Sequence, residues 1–249
     1  MIDSHAHVIS EFYNNIDEVV KTIKDKGIID VINCGDGINT SKEVIEINKK
    51  YDILKPAVGI HPENISDNSK IDELEELIKS NKIYAVGEIG LDYYWNKENK
   101  DDQKDLFIKQ LDLAIKYDFP VIIHTRDSIQ DCYDILKDRN NRGVIHCFTG
   151  SIEMAKLFIK KGYKLGIGGV LTFKNSNLYK VIESIDLDDI LLETDSPFLS
   201  PEPFRGQTNI PSNVYYVASR IAEIKNISVE EVIDITRKNA SKLFDINLN

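Results

Sequence analysis

The sequence predicts a single-domain α/β protein, a (β/α)8 or TIM barrel, on three observations. Short apolar, β-branched runs alternate along the chain with longer stretches of helical periodicity. Eight such runs can be counted, each followed by a helical stretch, with a repeat of about 30 residues. All five histidines fall at or just past the end of one of these runs. In a barrel the carboxyl ends of the strands form a single ring around the mouth, so that coincidence has a geometric reading.

The elements follow in order. Ile2 to Ser4 is a short strand with His5 and His7 at its end. Asp17 to Lys26 reads as helix because Ile16, Val19, Val20 and Ile23 share one face. Ile28 to Asn33 is a strand stopped by the Cys34-Gly35-Asp36-Gly37 turn, and Ser41 to Lys50 is helix. Leu54 to Ile60 is a strand followed by His61-Pro62, then Ile71 to Ser80 is helix. Ile83 to Gly87 is a strand with Glu88 at its end, before a longer helix from Lys100 to Tyr117. Val121 to Ile123 leads to His124 and a helix from Ile129 to Asp138. Gly143 to Ile145 leads to His146 and a helix from Ile152 to Lys161. Tyr163 to Gly168, a helix from Asn177 to Ser184, and Ile190 to Glu193 complete the strand series, with Asp195 just past the last strand. Two helices close the chain, Asn213 to Ile224 and Val229 to Leu243. The strands are almost continuously apolar, as parallel strands covered on both faces must be. The alternative is a doubly wound open sheet. It is disfavoured because the first strand-helix turn lacks G-x-G-x-x-G, and Gly166-Ile167-Gly168-Gly169 comes late and does not fit that fingerprint. The Gly- and Pro-containing stretch from Pro197 to Pro211 reads as a loop at the mouth.

The 249 residues suffice for one large barrel without a second domain. No apolar run approaches the roughly 20 residues that span a bilayer, and no basic segment followed by an apolar one marks a secretory signal. Cys34, Cys132 and Cys147 are odd in number and form no C-x-x-C, which fits small buried residues in a reducing cytosol, the expected location. A net charge of -10 excludes general coating of nucleic acid, though not an enzyme whose metal ions make one site locally positive.

His5 and His7 are two residues apart, so on extended chain they share a side and can hold one ion. His124, His146, Glu88 and Asp195 join them at the mouth. Imidazoles with carboxylates and no thiolate suit Zn²⁺, Mn²⁺ or Mg²⁺. Six converging ligands are enough for two divalent ions, with Glu88 as the bridge, His5, His7 and Asp195 on one ion, and His124 and His146 on the other. Asp195 and Glu88 are the catalytic candidates, Asp195 as the acceptor of the water's proton. Otherwise Asp195 caps the turn at Ser196-Pro197, and Glu88 forms an ordinary salt bridge. Cys147 is expected to point away from the site into the core. Substrate contacts are softer. Arg126 and Arg205 suit a phosphate, with a surface role open for Arg126. Tyr93 and Trp95, in a loop above the mouth, either stack on a base or pack on the rim. His61 either orients a leaving group or ligand, or is a rim histidine satisfied by backbone.

Seven stretches together resemble the TatD family of metal-dependent deoxyribonucleases, within the amidohydrolase-like superfamily of barrels. They are Asp3-Ser4-His5-Ala6-His7, Gly59-Ile60-His61-Pro62, Gly87-Glu88-Ile89-Gly90-Leu91-Asp92-Tyr93, Pro120-Val121-Ile122-Ile123-His124-Thr125-Arg126, His146-Cys147-Phe148-Thr149-Gly150, Thr172-Phe173-Lys174-Asn175 and Glu193-Thr194-Asp195-Ser196-Pro197. The resemblance covers the whole chain. It implies metal ligands at His5, His7, Glu88, His124, His146 and Asp195, and 3′-to-5′ exonuclease action on DNA, often best on single strands. It also implies a part in DNA repair, with DNA 3′ ends as the partner. Neither a membrane nor a protein partner is expected, and a monomer is compatible with the composition. Amidase and lactonase relatives often carry a carbamylated lysine where this chain has Glu88. After strand eight the family often has Arg-Gly followed by Asn-Glu-Pro, whereas here Ile210 takes the acidic place. That departure bears on substrate preference. Two rival functions stand beside this one: hydrolysis of an amide, ester, lactone or aminoacyl ester on the same ions, and a non-catalytic barrel that binds a partner at its mouth.

Overall fold

The computed structural model describes residues 1–95 and 97–248. The strands are β1 (Ile2–Ala6), β2 (Asp30–Cys34), β3 (Leu54–Val58), β4 (Ala85–Asp92), β5 (Val121–Arg126), β6 (Gly143–Ile145), β7 (Lys164–Ile167) and β8 (Ile190–Leu192). Helices α1 (Ile16–Asp25), α2 (Ile38–Lys50), α3 (Ile71–Ser80), α4 (Lys100–Lys116), α5 (Ile129–Leu136), α6 (Ile152–Lys160) and α7 (Leu178–Ser184) connect them, and α8 (Val214–Lys225) and α9 (Val229–Phe244) follow β8. The strands pair in parallel in the order β1 to β8, which makes the expected (β/α)8 barrel. Several helices start where a polar side chain takes up a free amide. Asn15, Ser151 and Ser228 accept from the backbone N–H of Glu18, Met154 and Glu231 at 3.3, 3.3 and 3.1 Å.

Two-residue alternation along each strand divides the core. Ile2, Ile32, Ala57, Ala85, Ile122, Val144 and Leu191 form an inner cluster that Ala240, Phe244 and Ile246 plug from below. Val31, Val58, Val86, Ile123, Ile145 and Leu165 face the surrounding helices instead. The same alternation carries the inward face upward from Ile122 to His124 and from Val144 to His146. Apolar side chains fill the lower barrel and imidazoles the top.

β4 and β5 run further than the sequence suggests. Ile89 to Asp92 pairs with Ile123 to Arg126, so Glu88 and His124 lie within strands rather than beyond them. The β4–β5 register shifts between Val86 and Ile89, where the Gly87–Glu88 peptide is cis. Gly90 makes the extension possible. Its φ is +147°, and a Cβ there would sit 2.0 Å from the carbonyl oxygen of His124.

Closure between β8 and β1 is made above the strands. Asp195 N–H donates to His5 O at 3.0 Å and His7 N–H to Ser196 O at 2.7 Å. The buried Asp3 carboxylate reinforces the seam by accepting from Thr194 Oγ1 at 2.6 Å, Thr194 N–H at 3.0 Å and His5 N–H at 3.2 Å. Removing it leaves two buried amides without a partner, each worth about 1–3 kcal/mol. Asp3→Ala is therefore expected to lower unfolding free energy by about 2–4 kcal/mol, read from the denaturant midpoint at unchanged slope.

Candidate metal centre at the barrel mouth

Glu88 occupies the middle of the mouth and divides its two oxygens. Oε2 lies 3.3 Å from both His5 Nε2 and His7 Nε2. Oε1 lies 2.8 Å from His124 Nδ1, 3.5 Å from His146 Nε2 and 3.6 Å from His61 Nε2. Asp195 Oδ1 stands 3.5 Å from His5 Nε2 and 3.9 Å from both His7 Nε2 and His146 Nε2. All six residues read from the sequence as ligands thus converge, with Glu88 between two groups. His146 differs from the expected partition. It stacks on His5 with centroids 3.7 Å apart, stands 6.1 Å from the His124 ring, and groups with His5 and Asp195. His61, not counted as a ligand, groups with Glu88 and His124.

The donor atoms fit divalent ions. Nitrogen and oxygen ligands bind zinc at about 2.0–2.1 Å, so two tetrahedral ligands stand about 3.3 Å apart. The separations from Glu88 Oε2 to the two β1 histidines match that edge. Among the candidates, His5, His7, Glu88, His124, His146 and Asp195 would hold the ions.

The side chains alone leave a demand for positive charge. Glu88 is held well below the usual carboxylate range: burial opposes ionisation, but His146, His5 and His61 outweigh it. Burial likewise works against charge on His146, yet Glu193, Glu88 and Asp195 push it up to about 10. His124 is raised to about 9 against burial by the hydrogen bonds it donates to Asp92 and Glu88. Asp195 moves the other way, up to about 6, because burial dominates over His146 and His7. His5 is pressed well below the usual histidine range by burial and by the His146 charge. Protons on imidazoles here occupy the electrostatic role that cations fill in a metal hydrolase, so ions and protons compete for the site.

His61 has a fixed tautomer. Its Nδ1 accepts from Glu63 N–H at 3.2 Å, and burial with the nearby His124 charge lowers its pKa to about 3. A neutral imidazole that accepts at Nδ1 carries its proton on Nε2, so His61 presents N–H toward Glu88. The backbone contact read from sequence is present, and the same ring aims a donor into the site.

Two carboxylates missed as site residues support the ligands. Asp92 Oδ2 lies 3.1 Å from His124 Nε2, while its Oδ1 accepts from Tyr94 N–H at 2.8 Å and Trp95 N–H at 3.1 Å. Glu193 Oε1 lies 3.1 Å from His146 Nδ1 and accepts from Cys147 N–H at 2.6 Å. Each turns one ring nitrogen outward and leaves the other facing Glu88, the usual device for orienting a metal-binding imidazole. Gly166 gives Glu193 its room, since a Cβ there would stand 2.1 Å from Oε2. The missed signal for Asp92 was simple alternation: residues 88, 90 and 92 share a face once β4 is extended.

Two readings need correction. Tyr93 is not a stacking residue: it is 4% exposed and its hydroxyl donates to Asp131 Oδ2 at 2.8 Å, whereas Tyr94 is 52% exposed. Cys147 is not a core residue but half-buried, with a φ of 45° that turns it off the strand, unlike the buried Cys34 and Cys132. Asp195 has a φ of 54° and its side chain faces the imidazoles rather than the Ser196-Pro197 turn. Trp95 is 64% exposed, and Arg126 lies over the Tyr94 ring at 3.9 Å. Arg205 stacks 3.8 Å over Phe173 in the loop after β8. Asn209 secures that loop by donating to Thr194 O and Phe198 O at 2.8 and 2.7 Å. Ile210, the departure from the acidic family position, is partly buried against the core.

A parallel barrel with imidazoles and carboxylates gathered at its carboxyl end defines a metal-dependent hydrolase of the barrel type. The chain belongs to the family of TatD-related DNases, whose model matches residues 2–245. It is 41% identical over 254 residues to the uncharacterized metal-dependent hydrolase YabD of Bacillus subtilis, covering 99% of this chain and 100% of that one. Its structure is similar to that of YJJV, a TatD homologue from Escherichia coli K12, with a TM-score of 0.93, 29% identity, and coverage of 99% and 98% of the two chains. A TatD family hydrolase from Entamoeba histolytica gives a TM-score of 0.88 at 25% identity, again covering 99% and 98%. No helix among the described residues is long and apolar enough to cross a membrane.

Proposed function

We propose that the protein is a two-metal phosphodiesterase that trims DNA from its 3′ end. The observation carrying this reading is Glu88, one carboxylate with an oxygen toward each of two imidazole groups. Membership of a DNase family supports the substrate class. Divalent ions bound here would polarise the phosphoryl group and acidify a nearby water. The residues of this chain do the remaining work. Water attacks the terminal phosphorus, the bond to the 3′ oxygen of the penultimate nucleotide breaks, and a 5′-mononucleotide leaves. Asp195, whose carboxylate faces His5 and His146, accepts the proton of the attacking water. His61 presents its Nε2–H to the departing oxygen. Arg205, with its planar face on Phe173 and one Nη donating to Ser200 O at 3.4 Å, offers its remaining donors to a phosphate oxygen.

The test is a 5′-labelled single-stranded oligonucleotide incubated with Mg²⁺, with Mn²⁺ and with chelator. A ladder shortening from the 3′ end, abolished by chelator, is expected. An intact band, together with turnover on an ester and lactone panel, would replace phosphodiester chemistry with carbonyl chemistry. Chelation is also expected to lower Tm, and added divalent ion to restore it, because a ligand at 100 times its Kd stabilises by about 2.7 kcal/mol. An unchanged Tm would favour a non-catalytic barrel.

A further inference from the structure

We propose that Tyr94, Trp95 and Arg126 form a platform that stacks an unpaired nucleobase of single-stranded DNA beside the metal centre; the proposal rests on the nuclease reading above. β4 and β5 pair as far as Asp92 and Arg126, so the platform stands on the longest strand pair of the mouth. Trp95 and Tyr94 are 64% and 52% exposed and meet edge to face with centroids 4.9 Å apart. The Arg126 guanidinium lies 3.9 Å over the Tyr94 ring and 5.4 Å from that of Trp95. The edge of the guanidinium beyond the two rings can take a phosphate.

Two exposed aromatics at a rim are costly to leave in water unless they bind something. The way this pair is anchored ties it to the chemistry. Asp92 accepts the amides of Tyr94 and Trp95 on one oxygen and holds the ring of His124 with the other. The backbone of the two aromatic residues and the ring of a candidate metal ligand therefore hang from one carboxylate. The occupant follows from charge. With a net charge of -10 the chain lacks the long-range attraction of a basic duplex-binding surface, so affinity must come from short-range contacts. Aromatic faces supply those to unpaired bases of any identity, and a guanidinium beside them takes the adjoining phosphate. Bases inside a duplex are already stacked and cannot use the platform.

Trp95 is the only tryptophan in the chain, so fluorescence excited at the red edge, beyond the absorption of the eleven tyrosines, reports on the platform. The experiment titrates metal-loaded protein with a phosphorothioate oligothymidylate, which resists cleavage, and with a blunt duplex of the same length. Saturable quenching by the single strand and none by the duplex is expected, with the midpoint moved roughly 5- to 100-fold by Tyr94→Ala or Arg126→Ala. Trp95→Ala should lower kcat/KM on an oligonucleotide roughly 5- to 100-fold more than on bis(4-nitrophenyl) phosphate. Tyr215→Ala, which removes an exposed aromatic on α8, should leave both unaltered. Cleavage of the oligonucleotide without quenching would overturn the platform and leave the nuclease standing. Equal losses on both substrates would also overturn it. Quenching without cleavage under any metal would uphold the platform and remove the nuclease reading. Neither quenching nor cleavage would remove both.

Discussion

Glu88→Gln is expected to cut turnover at least about 10²-fold while leaving the barrel folded, because it removes the group that addresses both halves of the site. Oε2 faces His5 and His7 and Oε1 faces His124 and His61, while His146, stacked on His5, also comes within 3.5 Å of Oε1. Glutamine keeps the size but supplies one oxygen and one N–H₂ group, so one set of nitrogens would face a donor. Bound metal measured on the purified variant should fall together with activity. Far-UV circular dichroism should remain that of the parent, since Glu88 packs against polar groups rather than the apolar plug below. A variant with more than about a tenth of the parent rate would sink the bridging assignment, as would full metal content at unchanged turnover.

Much of this arrangement was legible because barrel geometry converts sequence position into spatial position. Any residue just past a parallel strand reaches the same mouth, so His5, His124, His146 and Asp195 could be brought together from strand ends alone. Closure was equally readable, since eight apolar runs with helices between them leave few alternatives. Depth along a strand was harder. Val121 to Ile123 and Ile83 to Gly87 looked complete because polar residues follow them, yet backbone pairing continues through Glu88, Asp92, His124 and Arg126. A buried polar residue in a functional strand reads locally as a strand end.

The extra length of β4 accounts for Asp92 and Tyr93. With β4 stopped at Gly87, Asp92 became a loop residue and Tyr93 the start of an exposed aromatic pair. With β4 carried on, Asp92 falls on the face of Glu88, Tyr93 turns to the helix side and meets Asp131, and Tyr94 takes the exposed place. Glu193 was hidden differently. It was read as the last residue of an apolar strand, and only the packing of His146 against β7 and β8 shows its partner. Side-chain partners across non-adjacent segments depend on three-dimensional register, which residue order does not contain.

Asp195→Asn is expected to reduce kcat by at least about 10²-fold, and its metal content decides which role was lost. The substitution suits the backbone. Asp195 adopts φ of 54°, and asparagine is the other non-glycine residue that enters this left-handed region readily, so the Asp195 N–H to His5 O bond that closes the barrel should survive. The amide oxygen can still face His5 and His146, as Oδ1 does now at 3.5 and 3.9 Å, but the group can no longer accept a proton. If Asp195 is the proton acceptor, the variant should retain its bound metal, lose kcat, and gain nothing from added ion. If its weight lies in holding the ion, activity should fall in step with metal content and return as the ion is raised. A base role implies that the parent profile falls toward low pH as the carboxylate protonates, and the asparagine variant should lose that limb. Near-parent turnover from a fully metallated variant would show that the proton goes to a group other than Asp195.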